Sequence, residues 1–138
     1  VVVTAGIRGT RDDVLWLAGL VEGEGCIDAH RGRYPRLRIG MTDRDVIGRA
    51  ASLMGSRVRL ALHPAPASPT WHTEISGERA APILRELLPH MGARRSAKIA
   101  EVLAVHHYRT AKAGQTSTPG PRITRPPGLA MTDPEAAP

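Results

Sequence analysis

The sequence predicts an α+β fold: an antiparallel four-stranded sheet with helices on one face, in the order α-β-β-α-β-β-α-α. Three observations predict it. Apolar residues at helical spacing (Val14, Leu17, Ala18, Val21) alternate along the chain with runs of period two (Leu37, Ile39, Met41). Short turns rich in Gly, Pro and Arg join consecutive strands, leaving no room for crossover helices. The helix-strand-strand unit then occurs twice.

The first helix is expected from about Asp13 to Glu22, with Thr10 or Asp12 as its cap and acids in its first turn. Gly19 and Gly23 lie four apart, so one helix face carries no side chain to hold a neighbour away. Cys26 to His30 and Arg36 to Thr42 form a hairpin around Arg31-Gly32-Arg33. Asp43 is placed to cap a helix from about Arg44 to Met54, closed by Gly55. Val58, Leu60 and Leu62 then alternate with Arg57, Arg59, Ala61 and His63. A turn through Pro64, Pro66 and Pro69 leads to Trp71, Thr73 and Ile75, which alternate with His72 and Glu74. Trp71 falls on the apolar parity and is expected in the core. Helices follow from about Arg79 to Leu88 and from about Arg95 to His107, the second burying Ile99, Val102 and Leu103. Residues 1–11 read as a leader and residues 12–110 as the domain. Residues 111–138, rich in Gly, Pro, Thr and Ala without periodicity, read as a disordered tail.

Composition narrows the function. The chain has 138 residues and a formal net charge of +6, and its sequence pI is about 10.7. Lys98 and Lys112 are its only lysines, so arginine supplies the charge. GC-rich coding also yields an Arg-rich chain without Phe, so composition alone does not decide the partner. Position does more. Between Asp28 and Leu62 there are eight arginines against three aspartates. Arg31, Arg36, Arg38, Arg57 and Arg59 fall on or beside the polar positions of strands, as a one-signed stripe on the face away from the helices. Strands presenting arginine at this spacing suit the DNA major groove. The single cysteine excludes an internal disulfide and a cysteine-based zinc site, and Cys26 reads as a small buried hydrophobe. No apolar run approaches the ~20 residues of a membrane span, so no membrane partner is expected. The location expected is intracellular, the cytoplasm of a prokaryotic or phage-infected cell. His63, His72, His90 and the His106-His107 pair lack zinc spacing.

The stretch Trp16-Leu17-Ala18-Gly19-Leu20-Val21-Glu22-Gly23-Glu24-Gly25 carries the sharpest signal. It sets two carboxylates among glycines at the end of an apolar helix, an arrangement able to hold a divalent metal over an anionic substrate. Its residues 17–25 resemble the nine-residue signature of the LAGLIDADG homing endonucleases, with Glu at both acidic positions. The resemblance runs from about Asp13 to Leu103. It includes the element order, the Met41-Thr42-Asp43 strand exit, the Trp71 to Gly77 strand and turn, and the basic pair Arg94-Arg95.

That resemblance implies a saddle-like sheet and a site-specific double-strand DNA endonuclease using Mg²⁺ or Mn²⁺. It makes Glu24 the metal ligand, with the Gly23 carbonyl as a further donor. Asp43 becomes the residue that positions water. Arg94 becomes the basic support of the site, with Arg95 and Lys98 as alternatives. Arg31, Arg36, Arg38, Arg57, Arg59, His72 and Glu74 become the DNA contacts. A single signature copy implies a homodimer, its helices meeting through Leu17, Ala18, Gly19, Glu22 and Gly23. Two related readings compete: a DNA-binding regulator without nuclease activity, and a maturase that binds intron RNA. An interaction module built on the small-residue helix would leave the arginine stripe unexplained.

Overall fold

A computed structural model describes residues 6–116, with side chains through His107. The chain divides into two compact units, residues 1–106 and 107–138. The first holds the elements discussed below. The described part of the second is the end of the last helix.

Helix α1 spans Arg11–Glu24 and is set by Thr10. The Thr10 hydroxyl accepts the Asp13 N–H while the Asp13 carboxylate accepts the Thr10 N–H, a reciprocal capping box. The Asp13 carboxyl is held below its ordinary value, chiefly by that Thr10 N–H and then by Arg49. Strand β1, Gly25–His30, begins at the residue after the helix ends. A Cβ at Gly25 would lie 2.8 Å from both the carbonyl oxygen and a methyl of Val21. Only glycine lets the chain pass from helix to strand there without a loop.

Strand β2 spans Tyr34–Met41. Helix α2, Arg44–Met54, follows and ends on Gly55 in the left-handed conformation. Asp43 sits at its N-cap, but its side chain makes no capping bond. Strands β3, Arg59–Ala61, and β4, Thr70–Ser76, precede α3, Ala80–Leu87, and α4, Ala93–Thr116. Single 3₁₀ turns at Gly77–Arg79 and Leu88–His90 flank α3.

All pairings are antiparallel and the strand order is β1-β2-β4-β3. One sheet face, carrying Ile27, Leu37, Ile39 and Ile75, packs against Leu17 and Val21 of α1 and Ile47 and Met54 of α2. Ile83 and Leu87 of α3 and Ile99 and Val102 of α4 complete that core. The expected α+β architecture and element order are those observed.

Five expectations need correction. Cys26 is exposed, because the inward parity of β1 belongs to Ile27. Trp71 is only partly buried, packed at the core margin with the Arg44 guanidinium 5.0 Å from its ring centroid. The third strand is only three residues long, and Leu60 and Leu62 are 48% and 75% exposed. As the edge strand, β3 lies beyond the helix layer, since α2 packs on β2 and β4. Ile7, read as part of a leader before the domain, belongs to its core: it is buried, and its N–H donates to Glu86 Oε1 at 2.6 Å. Finally, α4 runs through Thr116 into the segment expected to be tail; residues 117–138 lie outside the described residues.

Candidate nucleic-acid interface and acidic helix end

Helix α1 ends in Glu22-Gly23-Glu24, and the two acids part company there. The Glu22 carboxylate accepts the Gly92 N–H at 2.7 Å, tying the end of α1 to the residue that opens α4. Glu24 is exposed and has no hydrogen bond or ion pair to any described residue. Gly25 pairs with Ile39, so the antiparallel register brings Glu24 to the end of β2 that leads into Asp43. Asp43 is also exposed.

Beside this end lies a cleft of about 360 Å³, lined by Gly25, Cys26, Ile27, Arg94, Arg95, Ala97, Lys98 and Glu101. The three expected cations differ within it. Arg95 is committed: its Nε donates to the Val21 carbonyl at 2.9 Å and its Nη2 to the Gly25 carbonyl at 2.7 Å. It therefore caps the negative end of α1. Lys98 makes only an exposed contact with Glu101 at 3.4 Å, and Arg94 makes no ion pair among the described residues. Among the described residues no three His, Cys, Asp or Glu side chains gather as a cation site. One hard, unpartnered carboxylate fits a divalent cation of the kind that keeps most of its waters and completes its shell from phosphate oxygens.

The second feature is the sheet face turned away from the helices. Register and parity place Cys26 and Asp28 of β1, Arg36 and Arg38 of β2, His72 and Glu74 of β4 and Arg59 of β3 on it. Asp28 organises one half. Arg36 donates to both its oxygens, Nε to Oδ1 at 2.9 Å and Nη2 to Oδ2 at 2.8 Å. Arg36 Nη1 also lies 2.8 Å from His30 Nδ1. Arg38 Nη2 donates to the same Oδ2 at 3.3 Å and reaches Cys26 Sγ at 3.6 Å. Hydrogen bonding from Arg36 holds the Asp28 carboxyl below its ordinary range, and Asp28 raises Arg36 in return. Arg36, expected as a DNA contact, is thus only 17% exposed and paired with Asp28, while Arg38 keeps 44% of its side chain open.

On the other half, Thr70 Oγ1 bridges His72 Nε2 at 2.7 Å and His63 Nε2 at 2.9 Å. The His72 ring lies over Gly40, where any Cβ would overlap it. Arg57 and Arg59 are exposed without ion pairs among the described residues. Arg31 sits apart, at the tip of the β1–β2 hairpin with a positive φ of 56°.

Sequence reasoning missed the organising role of Asp28 and the capping role of Arg95. The first was within reach: a hairpin turning on residues 31–33 places position 28 opposite position 36. The second depends on where α4 lands and has no local signature. The face expected to meet a second chain also needs amendment. Leu17 and Ala18 are buried in this chain's own core, as their helical stripe with Val14 and Val21 requires. The open face of α1 instead carries Gly19 and Gly23, where an added Cβ would meet nothing within 4 Å, together with Leu15, 40% exposed.

No family model and no curated protein matches the chain by sequence. Solved structures match it by fold. The chain superposes on the group I intron-encoded homing endonuclease I-CeuI complexed with DNA, with a TM-score of 0.59 and 17% identity over 79% of this chain. It spans 60% of that endonuclease's length. It also matches the homing endonuclease I-CvuI in two DNA complexes. In one, an I-CreI target stands uncleaved in 2 mM Mg; the TM-score is 0.52 and the identity 17%, over 70% of this chain and 69% of that one. In the other, I-CvuI holds its own target in 2 mM Ca; the TM-score is 0.51 and the identity 16%, over 84% and 90%. The chain has the homing-endonuclease fold.

Proposed function

We propose that this chain is a site-specific, double-strand DNA endonuclease of the homing type, working as a homodimer with a divalent metal, Mg²⁺ or Mn²⁺. The observation that carries the reading is Glu24. An exposed carboxylate with no protein partner stands at the α1–β1 junction, beside a cationic cleft and at one end of an arginine-bearing sheet face. A protein that only bound nucleic acid would have no use for an acid there, since it repels phosphate.

Glu24, with the Gly23 carbonyl among the helix-end carbonyls lacking an intrahelical partner, would hold the metal. When bound, the metal supplies an acidified water and charge neutralisation at the phosphate. The chain's own residues do the rest. Arg94 and Lys98 bring positive charge to the scissile phosphate from the cleft wall. Arg95 keeps the helix end in place through the Val21 and Gly25 carbonyls. Asp43, uncommitted to its own helix, accepts a hydrogen bond from water at the same end of the sheet. The DNA lies along the open face. One such acid per chain calls for two chains to cut two strands, and the open α1 face with Gly19 and Gly23 is the surface offered for their contact.

Selection of cut sites from a random duplex library with Mg²⁺ tests this directly. The wild-type chain should yield defined sites cut on both strands. Glu24→Gln should lose cleavage by at least about a hundredfold, because Lewis-acid assistance supplies several kcal/mol, while binding those sites within about twofold. Equal cutting by the variant removes Glu24 from the chemistry. A wild-type chain that shows no preference for any duplex ends the proposal, and sedimentation as a monomer on cut DNA ends its dimer.

A further inference from the structure

The open sheet face carries two carboxylates, and their situations are opposite. Asp28 is covered by Arg36 and Arg38. Glu74 pairs in register with Arg38 across β2 and β4, on the same face, yet Arg38 turns its guanidinium to Asp28 and Cys26 instead. Glu74 also lines two shallow depressions with Arg59, one of them shared with Arg57 and Arg79. Even so, it makes no hydrogen bond or ion pair among the described residues. An ionised carboxylate only accepts hydrogen bonds. Left open among arginines on a face that meets phosphate, it weakens non-specific binding. It earns that position only where a nucleic-acid donor meets it.

Major-groove edges offer two such donors, the N4 amino group of cytosine and the N6 amino group of adenine. Beside adenine N6 stands the N7 lone pair, which repels a carboxylate. Beside cytosine N4 stands only a C–H. The guanine paired with that cytosine presents O6 and N7, acceptors for the neighbouring Arg38 or Arg59.

We infer that Glu74 is a specificity-determining residue that accepts the N4 hydrogen of a cytosine in each half-site, with an adjacent arginine on the paired guanine. The inference rests on the open face being the DNA-reading surface.

Binding selections on random duplex DNA in Ca²⁺, with wild type, Glu74→Gln and Glu74→Ala, test it. Wild type should favour cytosine at one position per half-site by roughly ten- to a hundredfold. Glu74→Gln should move that position toward adenine, to which Gln bonds in pairs. Glu74→Ala should lose the preference there, and both variants should bind random DNA more tightly. Identical base preferences in all three proteins overturn the inference while leaving the DNA reading intact. So does loss of all binding by variants with unchanged melting temperature, because removing a negative charge cannot weaken phosphate contacts. If wild type selects nothing, the DNA reading itself has failed.

Discussion

The two halves of the open sheet face are built to opposite rules. On the β1–β2 half, Asp28 gathers Arg36 and Arg38 into one hydrogen-bonded cluster, so these guanidiniums are oriented and partly neutralised before anything binds. On the β4–β3 half, Arg57, Arg59 and Glu74 have no such partner among the described residues, while His72 is held by Thr70 with its ring over a bare Gly40. The first half forgoes charge for geometry: its arginines lose less rotamer entropy when they engage a ligand, yet attract it less. The second keeps its charge and its freedom. In the proposed DNA-reading role, a surface divided in this way would separate holding a fixed register from drawing in a polyanion.

The largest break in that contrast should come from Asp28→Asn. It strips Arg36, a mostly covered guanidinium, of its ionic partner and should cost about 1–2 kcal/mol of stability near neutral pH. The effect should be acid-sensitive. Because the folded Asp28 carboxyl lies below its ordinary 3.8, the unfolded chain takes up the proton first. Its contribution is therefore complete above that value and lost as pH falls through the lower, folded one. Thermal melts from pH 7 to 2 should show the gap between wild type and Asp28→Asn closing at the acid end. A gap constant with pH would refute the ionic account. Asp13, held down by Thr10 and Arg49, leaves both proteins with a shared acid dependence.

A smaller and different effect is expected at Arg59→Ala. With no internal partner to lose, it should leave the melting temperature nearly unchanged and reduce the salt slope of DNA affinity by about 0.9 per chain. Arg36→Ala should do the reverse, lowering stability and barely changing the slope. Binding isotherms across a salt series read both, and equal slopes for the two variants would erase the distinction between the halves. The smallest effect should follow Gly40→Ala. The new methyl displaces the His72 ring, a movable group, so stability should hold within about 0.5 kcal/mol. The imidazole resonances of His72 and His63 should shift, because the Thr70 bridge is disturbed. Unchanged resonances would mean that the ring does not lie over Gly40 in solution.

Much of this was written in short-range patterns. The Thr10 cap, one of the two expected, the turn at residues 31–33, the closing Gly55 and the alternation of β2 and β4 each depend on neighbours a few residues away, and each formed as expected. What escaped was decided at long range. Leu60 and Leu62 alternate like core residues, but the strand order makes theirs an edge beyond the helices. Cys26 looks buried by type and is exposed by parity. Which of Arg94, Arg95 and Lys98 would be spent on the backbone depended on the docking of α4 against a helix end 70 residues earlier in the chain.

The junction at Gly25 has a mechanical consequence. Since α1 enters β1 without a loop, Glu24 is bonded directly to the first strand residue, Gly25, and Cys26, the first residue of β1 on the open face, follows at once. No hinge lies between them to absorb thermal motion or a misplaced substrate. The offset from the acid to the side chains of β1 and β2 is therefore set like a mark engraved on a ruler. For an enzyme of the proposed kind, the number of base pairs between the sequence recognised and the bond broken would be fixed by covalent geometry, and would change only by whole residues inserted or deleted there.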